Sequence, residues 1–251
     1  MKYRAYKYRI YPTKQQEVLI AKHLGSCRFI YNYALAKKVK AYQFDGTNLS
    51  RFDIQADLPN MKKSDEYCWL KEVNSLSLQA SLANLDSAYT KFFREKKGFP
   101  KFKSKKDSKQ SFSIPQNTKV DFENGRVFIP KFKIGIKAKL HRTFEGIVKS
   151  STITRTSTGK YFISILVEVN ESDVPMKPIC ESKAVGIDLG IKTFAVLSDG
   201  TEIPNPKYLK QSLDKVKHLQ RSLSHKTKGS NNRDKARRKL ALAHEQVTNR
   251  R

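Results

Sequence analysis

The sequence has few cysteines, few acidic residues and no long apolar run. Its three cysteines, Cys27, Cys68 and Cys180, lie far apart and form no Cys-x-x-Cys pair. This spacing argues against a disulfide framework and a zinc site, and it is typical of buried or free thiols in a reducing compartment such as the cytoplasm. Residues 1–10 alternate charged and aromatic side chains, which is neither a signal peptide nor a membrane-spanning pattern.

The shortage of acidic residues leaves a large positive charge. Lysine and arginine total 50 against 23 acidic residues, so the net charge is +27. This excess is beyond what solubility requires. It favours a long polyanion as partner, because each neutralised phosphate releases a condensed counterion. A membrane surface would need an amphipathic basic helix or a lipid signal, so we expect no membrane partner.

The first hundred residues predict one strand followed by helices. Residues 2–11 alternate as a strand, and Pro12-Thr13 opens a helix that Gly25 is expected to stop. A second helix is predicted from about Ser26 to Tyr42. This pair is either a DNA-reading helix-turn-helix or a plain helical hairpin. Trp69, with Leu70 and Val73, is expected to anchor a turn to the core. A further helix, ending before Gly98, is predicted from the spacing of Leu78, Leu82, Leu85, Tyr89 and Phe92.

A strongly basic segment follows, in which cations alternate with aromatic rings. Phe99, Pro100 and Phe102 lie among the lysines and arginines of residues 91–109. Such a pattern suits a phosphate backbone with exposed bases, although a solvated flexible loop would also produce it. The total charge favours nucleic acid, since dense positive charge repels itself without a polyanion.

Residues 111–170 predict antiparallel strands. Asn124-Gly125 indicates a type I′ hairpin, and Thr158-Gly159 separates a second pair of strands. The strand from Tyr161 to Val169 alternates, with its odd-numbered residues apolar. We expect a small antiparallel sheet or barrel, joined by the N-terminal strand and interrupted by helices at about 13–95.

Residues 171–183 contain two prolines without periodicity and are predicted to be a linker. Beyond it, 184–189 and 193–197 predict an antiparallel pair of strands. Helices are predicted from Tyr208 to about Ser224, and from beyond the Gly229 break to the end. Residues 201–251 hold 14 Lys and Arg against 4 Asp and Glu, a density that suits a polyanion or a solvated helical hairpin.

Asp188 is an acidic residue within an apolar, strand-forming run and is followed by Leu189-Gly190. Burying such a carboxylate is costly without a charged partner, and a metal ion is one such partner. With the β-hairpin after it, this pattern also resembles the first phosphate loop of actin-like ATPases and sugar kinases. An ordinary structural aspartate is the third interpretation. Asp199 and Glu202 are interpreted as structural, since aspartate is common in turns.

Several motifs, taken in order, resemble one family. The chain resembles the N-terminal portion of the transposon-encoded TnpB (OrfB) proteins, which are RNA-guided DNA endonucleases related to type V CRISPR effectors. The motifs that carry the resemblance are residues 7–12 (KYRIYP), 29–32 (FIYN), 98–103 (GFPKFK), 186–192 (GIDLGIK) and 205–208 (NPKY).

The resemblance implies an α+β fold. Residues 1–170 would be an antiparallel β-barrel wedge with an inserted helical recognition lobe, and 184–251 the opening hairpin and helices of an incomplete ribonuclease H-like (RuvC) domain. Asp188 would be the first catalytic carboxylate and a Mg²⁺ ligand. The implied partners are a guide RNA from the element's end, a double-stranded DNA target and a missing C-terminal fragment.

The family's later Glu, its final Asp and its four-cysteine zinc finger have no counterpart in this sequence. We therefore expect no DNA cleavage by this chain alone, and Mg²⁺ only with a complete nuclease domain. A non-cleaving RNA- or DNA-binding protein is the alternative function, and an actin-like ATPase a remote one. Residues predicted to contact nucleic acid are Lys7, Arg9, Tyr31, Lys101, Lys103, Lys105, Lys207, Lys210, Lys215, Lys217 and Arg221.

Overall fold

The computed structural model describes residues 2–107, 109–169 and 180–250. The chain divides into two compact units, residues 1–173 and 174–251. Each unit combines helices with an antiparallel sheet, which confirms a mixed α/β protein with antiparallel strands. Most of the predicted linker 171–183 lies outside the described residues.

The first unit is built on a seven-stranded sheet in the order β2-β6-β7-β1-β5-β4-β3. The N-terminal strand β1 lies at its centre, antiparallel to β7 on one side and to β5 on the other. The strands are β1 (Lys2–Tyr11), β2 (Lys109–Ile114), β3 (Lys119–Asp121), β4 (Arg126–Phe128), β5 (Ile136–Lys139), β6 (Ile147–Thr156) and β7 (Tyr161–Val169). Since β2 and β3 end this order, the described strands form an open sheet.

One face of the sheet is the core of the first unit. In β7 every odd-numbered residue from Tyr161 to Val169 is buried, and the residues between are more exposed. The period of two is that of a strand buried on one face, as predicted. Tyr8 and Ile10 of β1 continue this apolar layer.

The two predicted hairpins are present, but one has a different turn. Gly159, with φ of 80°, lies in the β6–β7 turn as predicted. The β3–β4 turn contains four residues, 122–125, and Gly125 alone among them has positive φ. A type I′ turn needs positive φ at both central positions, so the predicted type is wrong. Instead, the backbone N–H of Asn124 donates to the Asp121 side chain at 2.9 Å.

The helices of the first unit lie in sequence between β1 and β2. They are α1 (Lys14–Asp45), α2 (Arg51–Lys63) and α3 (Ser75–Glu95), with a short 3-10 helix at Cys68–Glu72. The first two begin with capping boxes, Thr13 with Gln16 and Ser50 with Asp53, in which side chains satisfy N–H groups that lack helical partners.

The predicted helix stop at Gly25 is wrong, and with it the two-helix arrangement. Helix α1 runs through this position for 32 residues. A glycine costs an interior helix position about 1 kcal/mol, which packing can offset. Leu24, Cys27 and Ile30 are buried on both sides of it, so the apolar stripe that holds α1 in the core is not interrupted.

Two of the three residues expected to anchor the turn near Trp69 are in the core. Leu70 and Val73 are buried, whereas Trp69 is partly exposed and lies edge-on to Phe29 with ring centroids 5.1 Å apart. The indole N–H donates to the carbonyl of Glu66 at 3.0 Å. The polar edge of this large ring therefore favours a position at the rim of the core.

The second unit contains a three-stranded sheet in the order β10-β9-β8 and a helical pair. Its elements are β8 (Ile187–Leu189), β9 (Thr193–Leu197), β10 (Glu202–Pro204), α4 (Tyr208–Ser224) and α5 (Asn231–Arg250). The β8–β9 pair and both helices agree with the predictions from sequence, whereas β10 was not predicted. None of the helices in the described part of the chain has the length and apolar character needed to span a bilayer.

Candidate nucleic-acid surfaces and the Asp188 carboxylate

Asp188 lies at the middle of β8, opposite Val196 of β9. Its neighbours Ile187 and Leu189 occupy the other face of the strand, because successive side chains alternate. Asp188 is exposed in this structure. The desolvation cost expected for a carboxylate in an apolar run therefore does not arise here.

The turn after Asp188 depends on two motif residues. A Cβ atom on Gly190 would lie 2.8 Å from the carbonyl oxygen of Thr193, closer than side chains tolerate, so this tight turn needs glycine. The side-chain amide of Asn205 donates to the carbonyl of Ile191 at 2.8 Å and accepts from the N–H of Lys207 at 2.9 Å. Asn205 thereby connects the β8–β9 turn to the start of α4.

The nearby acids do not complete a metal site with Asp188. Asp199 accepts from the N–H of Thr201 at 2.9 Å, and these local hydrogen bonds lower the pKa of its carboxyl group, as suits the predicted turn residue. Glu202 also pairs with Val196, but from β10, so a whole strand separates it from Asp188.

The described residues contain no group of three or more His, Cys, Asp or Glu side chains that could hold a metal ion. The described residues alone therefore do not fit the paired metal ions that the resemblance implies. We assign no catalytic step to such ions in this chain.

Lys7 and Arg9 lie on β1 and flank an aromatic ring of β7. The Lys7 ammonium lies 4.8 Å from the centroid of the Phe162 ring, and the Arg9 guanidinium 5.2 Å from it. Arg9 also lies 5.4 Å from the Tyr11 ring. Tyr8 and Ile10 face the core, so alternation places both cations on the opposite face of the sheet. This face presents charge beside aromatic surface.

The segment between α3 and β2 contains six lysines, all of them exposed. They are Lys96, Lys97, Lys101, Lys103, Lys105 and Lys106. Phe99 and Phe102 are also exposed, and Phe99 contacts Tyr89 and Phe92 of α3 edge-on. The aromatic cluster at the end of α3 is thus only partly buried.

Tyr31 and Lys103, both predicted to contact nucleic acid, contact each other. The Lys103 ammonium lies 4.0 Å from the centroid of the Tyr31 ring. Tyr31 is 5% exposed, so neither face of its ring is open to a base, and stacking does not fit this geometry. Desolvation lowers the pKa of Lys103, although much of the side chain's surface remains exposed.

The cations predicted in α4 divide between helix faces. Lys210, Lys217 and Arg221 follow a spacing of seven and four residues, which places them on one stripe. Lys215 lies on a different face, and Lys207 precedes the helix with φ of 45°. All five are exposed. These residues were selected from the sequence because Lys and Arg are frequent in this region. The selection did not distinguish the helix faces on which they lie.

Comparison with known proteins shows two family matches. A family described as "Probable transposase" (OrfB_IS605) matches residues 164–251, and one described as "Helix-turn-helix domain" (HTH_OrfB_IS605) matches residues 1–47. In this structure the described part of 1–47 is β1 and the single helix α1, so it holds one helix and not two.

Two longer relatives match almost the whole chain. "Putative RNA-guided DNA endonuclease InsQ" of Escherichia coli K12 is 36% identical over 98% of this chain and 60% of its own length. A protein of Streptomyces pristinaespiralis, named "Putative RNA-guided DNA endonuclease", is 34% identical over 99% of this chain and 61% of its own length. The chain thus spans about three-fifths of the length of these relatives.

One solved structure is distantly similar. The "Cas12f1-sgRNA-target DNA complex" has a TM-score of 0.44 and 14% identity over 94% of this chain and 60% of that one. This likeness is too weak to assign a role to any residue. The sequence matches place the chain among transposon-encoded proteins. Within that class, it belongs to the OrfB (TnpB) family.

Proposed function

We propose that this chain binds guide RNA and double-stranded target DNA as part of an RNA-guided DNA endonuclease. The observation that carries the proposal is the 36% identity, over 98% of the chain, to a relative of that name. The net charge of +27 supports it, because RNA and DNA are both polyanions. The chain spans 60% of that relative, so the complete activity is proposed for it only together with the remaining part of such a protein.

We propose different roles for the two parts of the chain. Residues 1–170 would act as the wedge, closed into a barrel in the complete protein, with the helices of 13–95 as the recognition lobe. Residues 184–251, after the linker at 171–183, would open a ribonuclease H-like nuclease domain. The helices α1 to α3 lie in sequence between β1 and β2, two strands of the same sheet, which supports an inserted lobe.

Three sets of cations, all exposed except the half-buried Arg9, are the proposed contacts with phosphate. The first is Lys7 and Arg9 on β1, the second Lys101 and Lys105 before β2, and the third Lys207, Lys210, Lys215, Lys217 and Arg221 at α4. Exposed aromatic rings beside the first two sets offer surfaces on which unpaired bases can stack. Binding should therefore weaken steeply as salt is raised.

Asp188 is the proposed nuclease carboxylate. It is exposed, it lies on a strand, and the Gly190 turn and Asn205 fix the backbone beside it. Carboxylates held on rigid elements suit divalent metal ions, Mg²⁺ among them. Because the described residues contain no group of three or more possible metal ligands, we infer that this chain alone does not cleave DNA.

A second candidate function is a protein that binds RNA and DNA without cutting either. The lack of a metal-binding group among the described residues favours it. In that case the cationic surfaces would keep their role, and Asp188 would have none.

A cleavage assay separates the two candidates. The chain is mixed with Mg²⁺, with RNA transcribed from the flanking element and with duplex DNA. The mixture is tested alone and with the remaining C-terminal segment of a longer relative added in trans. We expect cleavage only when the segment is present, and none with Asp188→Asn.

Asp199→Asn is the matched control, since Asp199 is an exposed acid of the same unit whose turn contact an asparagine can keep. It should leave cleavage unchanged. Binding without cleavage in both mixtures would favour the second candidate. Failure to bind either RNA or DNA at low salt would reject both.

A further inference from the structure

The six lysines between α3 and β2 are not equivalent in this structure. Lys97 pairs with Glu95 at the end of α3, whereas the Lys103 ammonium lies over the ring of Tyr31 in α1. Cys27 lies nearby, and burial raises the pKa of its thiol to about 11, so this neighbour stays neutral. The ring face and the partial desolvation make Lys103 an internal contact and not a free cation.

The backbone of Lys103 is held by a second residue of α1, Asn32. The Asn32 side-chain N–H donates to the Lys103 carbonyl at 2.9 Å, and the Lys103 N–H donates to the Asn32 side-chain oxygen at 2.8 Å. A single amide thus satisfies both polar groups of a residue 71 positions away. We call these two hydrogen bonds, with the ring contact of Lys103, the Asn32 clamp.

The residues after the clamp form an ordered turn. The N–H of Ser104 donates to the Asp107 side chain at 2.9 Å, and the N–H of Lys106 donates to the Ser104 hydroxyl at 3.1 Å. Gln110 of β2 donates to the carbonyl of Lys105. The segment is therefore tied to α1 before the turn and to β2 after it, while Lys101 and Lys105 remain exposed.

A loop that is ordered before it binds should bind a polyanion more tightly than a flexible one. A flexible lysine loop loses conformational freedom when it follows a phosphate backbone, and that loss reduces affinity. A loop that is already fixed loses less. The clamp contributes no phosphate contact of its own, so its effect should appear in affinity more than in the number of counterions released.

We propose that Asn32 is a positioning residue, whose amide holds the backbone of Lys103 and thereby presents Lys101 and Lys105 to the phosphate backbone of a nucleic acid. The inference rests on the proposed function for its ligand. The clamp itself can be tested without that ligand.

The test compares Asn32→Ala, Asn32→Asp and the wild type. Alanine removes both hydrogen bonds, and aspartate keeps an acceptor for the Lys103 N–H but loses the donor. Gln43→Ala is the matched control, an amide removed from an exposed position of the same helix. Amide exchange of Lys103 and limited trypsin digestion of residues 96–107 report order in the free protein. Salt titrations with labelled polyuridine RNA and a labelled DNA duplex report binding.

We expect Asn32→Ala to speed exchange at Lys103 and to weaken binding about tenfold with an unchanged salt slope, and Asn32→Asp to fall between. A Lys101→Met/Lys105→Met double variant should instead lower the slope. Equal exchange in Asn32→Ala and wild type would overturn the clamp. Faster exchange with unchanged affinity would overturn its positioning role. If the wild type binds neither probe, the proposed function falls, and the exchange data still decide whether the clamp exists.

Discussion

The Nε2 atom of His23 accepts a hydrogen bond from the backbone N–H of Asn74 at 3.1 Å, and its Nδ1 atom lies 2.8 Å from the carbonyl of Leu19. A carbonyl only accepts and an N–H only donates, so these partners fix a neutral imidazole with its proton on Nδ1. His23 is 1% exposed and stacks on Phe112 of β2, 4.9 Å between centroids. One neutral side chain thus connects α1, the start of α3 and the sheet.

This arrangement predicts a pH-dependent stability. Burial, and in lesser part the charge of Lys131, lowers the pKa of His23. The folded state then binds fewer protons than the unfolded state, whose histidine titrates near about 6.5. The free energy of unfolding should therefore fall as the pH drops below that value, by up to about 1.4 kcal/mol per pH unit.

Urea unfolding between pH 7.5 and 5 would measure this. His23→Gln should lose stability at neutral pH but show a flatter dependence, and the exposed His244→Gln should behave as the wild type. Equal pH dependence in all three proteins would show that another group is responsible.

Replacing Gly25 tests whether α1 is continuous. A Cβ atom at this position would meet only the end of the Arg28 side chain, at 4.0 Å. Because Gly25 lies inside a helix, Gly25→Ala should raise the free energy of unfolding by about 0.5–1 kcal/mol. Thermal or urea unfolding gives the sign directly. Destabilisation would indicate a break in the helix at this residue.

The stripe of cations on α4 should matter more for RNA binding than an equal charge elsewhere. Lys210→Ala/Lys217→Ala/Arg221→Ala removes three charges from one face. On single-stranded RNA, the loss of three phosphate contacts should lower the slope of log affinity against log salt by about 2. The matched variant Lys226→Ala/Lys228→Ala/Lys235→Ala loses the same charge from exposed positions away from the stripe. If both triple variants show the same slope, the stripe has no separate role.

The second unit should expose apolar surface in solution. Ile187, Leu189 and Ile191 are all exposed, Ile191 to 90%, and β8 is paired on one side only among the described strands. Unpaired edges and apolar patches promote association. We expect the isolated chain to bind a hydrophobic dye and to show weak amide protection over 184–251.

Ile191→Lys should reduce both dye binding and aggregation, whereas Ile191→Leu should change neither. Strong hydrogen-exchange protection throughout 184–251 in the isolated wild-type chain would contradict the expectation. The measurement needs no nucleic acid, so it is independent of the proposed function.

Elements with a clear hydrophobic period were predicted correctly from the sequence. The predictions were wrong where tertiary contacts determine the local structure. The alternation in β7 and the two last helices followed from local pattern alone. The helix stop predicted at Gly25 was wrong because packing offsets the free-energy cost of a glycine inside α1, and the local sequence does not show this packing. The turn at Asn124 differs because the Asp121 side chain supplies its hydrogen bond.

The residues proposed to contact nucleic acid were likewise predicted only as far as local sequence allows. Composition correctly indicated many exposed lysines near residue 100. It could not show that Lys103 turns toward Tyr31, because the ring lies on a helix far away in sequence. The partner of Lys103, Asn32, was noted only as part of a motif, since hydrogen bonds across 71 residues leave no local signal.

The central position of β1 has a consequence for synthesis. Lys2 pairs with Val169, and Ile10 with Tyr161. Strand β1 therefore cannot complete its pairing until β7, the last strand of this sheet in sequence, has been synthesised. Ribosomes add about 5–20 residues per second, which leaves β1 without this neighbour for several seconds or more. Contacts so distant in sequence also slow folding. The aromatic and basic strand β1 is therefore available to chaperones or RNA before it can pair with β7.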